Sequence, residues 1–160
     1  MYFKNKEDIV SFLSLKSMEK LKGLLSGALE NGGTAKEQFF SMCNALVKYQ
    51  ADYPNFFDRS LQYIQVEQNN DNEWLSKTNQ VGEEVNQIIS QYIKKGIESG
   101  ELAQTTDYFG MILLMWGMIS GIIKLASEKE EYIRIRGNVS KEEFLQAGFE
   151  KIYKAIMSGQ

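Results

Sequence analysis

Apolar positions recur at steps of three and four along most of this sequence, the spacing of helices with one covered face. From Lys6 the pattern runs through Ile9, Phe12, Leu13, Met18, Leu21, Leu24 and Leu25 toward Ala28, and Asn31-Gly32-Gly33 stops it. Asn5 stands at the cap position, with Asp8 three residues on as its reciprocal partner. Thr34-Ala35-Lys36-Glu37 is a capping box, and Phe39, Phe40, Met42, Cys43, Leu46 and Val47 predict the helix behind it. Tyr53-Pro54 ends that helix, because proline disfavours helical geometry in the residue before it and suits the first turn of the next. Phe56, Phe57, Leu61, Tyr63 and Ile64 then make a short aromatic helix, and the polar run Gln68–Asn72 reads as a loop. Trp74, Leu75, Val81, Val85, Ile88, Ile89, Tyr92, Ile93 and Ile97 predict a longer helix, roughly Glu73 to Glu98, closed by Ser99-Gly100.

The most apolar stretch is Phe109–Ile123, which carries no charge before Lys124. At about 15 residues it is short of the ~20 a bilayer span needs, so a buried core helix is expected, capped by Thr105 or Thr106. One face is smooth: Gly110, Leu114, Gly117 and Gly121 follow at helical steps. Each glycine costs about 1 kcal/mol against alanine inside a helix, so the stripe suggests close approach of another backbone. That backbone belongs either to a second subunit or to this chain's own C-terminal helix. Met111, Met115 and Met118 form another face, suited to an adaptable pocket or to ordinary core. Tyr132–Arg136 alternates like a strand without a partner and reads as a frayed tail or loop. Ser140-Lys141-Glu142-Glu143 is a further capping box, opening a helix striped by Leu145, Phe149, Ile152 and Ile156, with Gly148 beside them. The expectation is an all-α chain of about six helices. The last two pair with their copies in an isologous homodimer through Gly110, Leu114, Gly117, Gly121, Leu145, Gly148, Phe149, Ile152 and Ile156.

Composition narrows the chemistry. The 160 residues suit one domain, with 43% apolar and 24% charged residues and a single proline. A net charge of −3 argues against a broad basic surface for nucleic acid. Cys43 is the sole cysteine, which excludes an internal disulfide and fits a cytoplasmic location, and Lys4, Lys6, Glu7 and Asp8 stand where a signal peptide would be apolar. Histidine is absent, so Ser-His-Asp and Cys-His catalysis are excluded, and neither a zinc site nor a Gly-rich phosphate loop is visible. Glu128, Glu130, Glu131, Glu142 and Glu143 lie at helix ends, where solvation or capping explains them better than metal-dependent catalysis. An enzyme is not expected, nor any cofactor or membrane partner.

Four segments together carry a family resemblance. Tyr2-Phe3-Lys4-Asn5-Lys6-Glu7-Asp8 resembles the junction between the DNA-binding and regulatory parts of TetR-family transcriptional regulators. Tyr53-Pro54-Asn55-Phe56-Phe57 is similar to the start of that family's sixth helix. Gly96-Ile97-Glu98-Ser99-Gly100-Glu101-Leu102 is similar to the segment before its eighth helix, and Leu114–Gly121 to a Leu-Trp-Gly-rich pattern within it. The resemblance implies that residues 1–8 are a remnant of the DNA-binding head and linker, and that residues 6–160 form an all-α regulatory domain. Only Met1 precedes Tyr2, so the helix-turn-helix is largely missing, and Tyr2 and Lys6 would be residual phosphate contacts. It further implies an effector pocket, for which Phe39, Met42, Phe56, Phe57, Tyr63, Trp74, Tyr108, Met111, Met115 and Trp116 offer apolar lining. The expected function is effector binding and dimerisation, controlling DNA binding by a head outside this chain. The alternative is a headless interaction protein that heterodimerises with a full-length regulator.

Overall fold

The first helix begins because Asn5 leaves extended geometry and its side-chain oxygen accepts the Asp8 N–H at 2.9 Å. Asp8 answers the N–H of Lys4 at 2.8 Å, one residue earlier than the capping pattern suggested. A computed structural model describes this chain over residues 2–62 and 72–159. In it α1 spans Lys6–Glu30 and α2 spans Ala35–Asp52, the latter capped by Thr34, whose hydroxyl accepts the Glu37 N–H at 3.1 Å. The short α3 is Pro54–Gln62. Asn72 caps α4 (Glu73–Glu98) by accepting the Trp74 and Leu75 N–H groups. The cap of α5 (Tyr108–Glu128) is Asp107, whose carboxylate accepts the Gly110 N–H at 2.8 Å. Thr105, expected in that role, instead accepts the Asp107 N–H at 3.1 Å, and Thr106 is exposed.

The alternating segment Tyr132–Arg136 is neither tail nor loop. It lies within α6 (Glu130–Gly137), which buries only Ile133 and ends at Asn138 in left-handed geometry, φ 53°. Ser140 then caps α7 (Lys141–Ile152), which continues into a π-helical turn, Tyr153–Met157. Among the described residues there are seven α-helices and no strand, so the fold is all-α as the spacing predicts. The seventh helix is the one hidden in the alternating segment.

Side-chain contacts fix how the helices run. Asn72 donates to Ser11 at 3.2 Å and Lys22 pairs with Glu84 farther along, so α1 and α4 lie parallel. The Tyr49 hydroxyl donates to the Ser17 carbonyl at 2.8 Å, seating α2 against α1. The Tyr92 hydroxyl donates to the Ala35 carbonyl at 2.7 Å, bringing the end of α4 to the start of α2. Gln146 reaches Asn44 at 2.8 Å and Glu150 reaches Lys36 at 2.7 Å, so α7 runs antiparallel to α2. The core between these helices is continuous, with Leu21 and Leu25 from α1, Phe39, Cys43 and Leu46 from α2, Val85 and Ile93 from α4, Ile112 and Ile123 from α5, and Leu145 and Phe149 from α7. Each such side chain contributes about 1.5–3 kcal/mol when fully buried. Burial also pushes the Cys43 thiol well up, which leaves it unreactive in the folded chain.

Candidate functional site

The most apolar helix is the one with an uncovered side. α5 packs Ile112, Met115, Ile119, Ile123 and Ala126 inward, and yet only a third of its apolar stretch is buried. At 21 residues it is longer than the sequence suggested, and by length and composition it could cross a membrane. On the outer side Phe109, Leu113, Leu114 and Leu125 are 46–66% exposed, and on α6 Tyr132 and Ile135 are also exposed, at 60% or more. Gly117 and Gly121 share that side, and a Cβ built on either meets nothing within 4 Å. Exposed apolar side chains gathered on one side of a helix are a feature of interaction sites.

The interface residues expected from the sequence separate into two groups. Leu114, Gly117 and Gly121 lie on the uncovered side. Leu145, Phe149 and Ile152 are buried in this chain's own core, and Ile156 packs on its margin, so they are not free to meet a second copy. Gly148 is also used internally: a Cβ there would collide with the Ile122 side chain, and its absence lets α7 close on α5. Gly110 has a third role, since a Cβ would strike the Asp107 carboxylate that caps α5. Of the two readings of the small residues, own-chain packing holds for Gly148 and an open face for Gly117 and Gly121.

The expected pocket lining does not converge. Phe39, Met42 and Met115 are core, with the Phe39 ring 5.3 Å from that of Tyr153. Tyr108, Met111 and Trp116 are half-buried against the core. Trp74 opens a 26-residue helix about 39 Å long, and Tyr108 and Met111 follow its far end, too distant to share a cavity with it. Trp74 instead packs on Phe12 at 5.2 Å and Phe3 at 6.3 Å, an aromatic cluster joining the starts of α1 and α4. Tyr63 lies outside the described residues. Tyr2 and Lys6 are exposed at the surface, beside the buttressed Phe3.

One expected residue does line an open cleft. Phe56 and its neighbours Asn55, Asp58 and Arg59 on α3 face Leu13 of α1 around a space of about 520 Å³. The Phe56 ring stacks on Tyr53 at 5.9 Å and 17°, and Lys20 stands 4.7 Å over the Tyr53 ring. Asp58 is held by Lys124 of α5 at 2.7 Å, which raises the Lys124 pKa, first through that hydrogen bond. The sequence marks Leu13 only as an apolar helix position and does not single out Asp58 or Arg59, because the cleft depends on how α3 settles on α1. A smaller space of about 270 Å³ opens by Thr34, Glu101 and Gly159, where Glu101 already accepts the Ala35 N–H at 2.8 Å. Among the described residues no cluster of three His, Cys, Asp or Glu side chains could hold a metal ion.

Comparison with known proteins bears on the fold. No protein-family model matches the chain, and no curated protein matches it in sequence. The solved structure of a protein with unknown function from Rhodococcus sp. RHA1 is similar over 97% of this chain and 75% of that one, at a TM-score of 0.75 and 13% identity. At that identity the likeness is one of architecture alone.

Proposed function

We propose that this chain is the effector-binding and dimerisation part of a TetR-like transcriptional regulator, a cytoplasmic protein that acts on DNA through a head outside these residues. The observation that carries the reading is the uncovered apolar side of α5, with two glycines where a partner backbone could approach. A helix apolar all round is stable in water only when every side is covered. The occupant in this reading is a second copy: a two-fold axis beside α5 would set Gly117 and Gly121 against their own equivalents, an isologous contact. The α1–α3 cleft supports the sensing half, having apolar walls and a few placed polar groups. It touches α1, the helix that follows the Tyr2–Asp8 segment, so an effector there would bias that helix as far as its affinity differs between two arrangements.

Two measurements on the purified chain test the reading. Sedimentation is expected to give a dimer that Leu113→Glu converts to a monomer of unchanged helicity. A thermal-shift screen of apolar and amphipathic molecules is expected to give saturable hits. A monomer at high concentration removes the two-fold regulator, a lone hit-free screen removes the sensor, and sedimentation only with added detergent points to lipid as the occupant of α5.

A further inference from the structure

Resting on the effector-binding reading above, we propose that the α1–α3 cleft takes a small amphiphile with one anionic head group, and that Arg59 holds that head. The cleft is built for a molecule of two characters: Leu13 and Phe56 give it apolar wall, while Asn55, Asp58 and Arg59 give it polar rim. The two charges on that rim are not paired with each other. Asp58 is already satisfied by the Lys124 ammonium at 2.7 Å, and Lys124 also stands 3.6 Å from Glu128. The side chain of Arg59, next in sequence and half-buried, makes no hydrogen bond or ion pair with any described residue. A second cation, Lys20, stands over the Tyr53 ring and makes no ion pair with any described residue, and that ring continues the apolar wall through its stack on Phe56.

An unpaired guanidinium beside an apolar wall selects for an anion with a tail. Its planar fork fits a carboxylate or phosphate in two parallel bonds, which a hydroxyl or an ammonium cannot reproduce. The Lys124 ammonium at 2.7 Å from Asp58 offsets the repulsion that this carboxylate would exert on an anion at Arg59. Asn55 adds a neutral side-chain amide at the same rim, able to donate to a second head-group oxygen.

The test uses four probes sharing one eight-carbon tail: octanoate, octyl phosphate, octanol and octyltrimethylammonium. Each is titrated by calorimetry into the whole chain below its micelle concentration. Octanoate or octyl phosphate is expected to bind once per chain, at least about tenfold tighter than octanol, with an affinity that weakens as salt rises. The tighter of the two identifies the head group. Arg59→Gln is expected to bring the anion down to the level of octanol, and Arg59→Lys to keep part of the difference. Equal binding of octanol and both anions, preference for the ammonium probe, no binding by any probe, or an anion affinity that survives Arg59→Gln would overturn the assignment. An uncharged effector whose binding ignores Arg59→Gln would remove this assignment and leave the effector-binding reading intact.

Discussion

Replacing Gly117 and Gly121 together by alanine separates what the chain does for itself from what it does for a partner. Within one chain both positions are helical and open, so the added methyl groups meet nothing. Each change then gains about 1 kcal/mol of helix propensity, or about 2 kcal/mol for the pair. For a domain of this size, about 2–4 °C per kcal/mol predicts a rise of about 4–8 °C in the melting temperature of dilute protein. The same methyl groups in a close backbone contact between two copies would be overpacked, at about 1–3 kcal/mol, enough to weaken self-association about fivefold to a hundredfold or more. Thermal unfolding across a dilution series, together with sedimentation of both proteins, reads both effects. The expected result is a more stable chain that dimerises less well. A melting point raised equally at every concentration, with unchanged sedimentation, would show that no partner backbone touches the glycines. A lower melting point in dilute protein would mean that α5 is covered by its own chain after all.

Two further expectations test the core. Phe149, fully buried where α7 meets α2 and α5, should cost about 3–5 kcal/mol on replacement by alanine, read as a lower urea midpoint at unchanged slope. At alkaline pH, the Tyr92, Tyr49 and Tyr153 phenols are held above their ordinary 10, chiefly by burial. The unfolded chain therefore loses these protons first: the tyrosine contribution to stability is intact below pH 10 and is lost as pH rises beyond it, following the buried Cys43 thiol, whose contribution begins to fall from about pH 9, and Tyr92→Phe should make the later part of the fall shallower in equilibrium unfolding.

The Thr34 and Ser140 caps and the break at Tyr53-Pro54 fall where the sequence puts them, because each is a bond or a steric clash among residues a few positions apart. α6 was harder to read. Tyr132 and Ile135 point outward, so its apolar residues follow no inward helical stripe, and alternation mimicked a strand. The sites were harder still. Phe56 was identified from its aromatic character, but Arg59 and Asn55 have meaning only beside Leu13, which is more than forty positions earlier in the chain. Trp74 and Tyr108 were alike as candidates, and only the length of α4 shows that they belong to different ends of the molecule. For α5, apolar on every side, periodicity carried no information about which side the rest of the chain would leave open.

The contact between Gly148 and Ile122 has one more consequence. By letting α7 settle closely on one flank of α5, it locks the two rods into a single plank whose opposite edge bears Phe109, Leu113, Gly117 and Gly121. In the dimer proposed above, one edge of the rod serves folding and the other serves recognition, so drift along the outer edge alters which molecule is recognised without loosening the joint that holds the plank together.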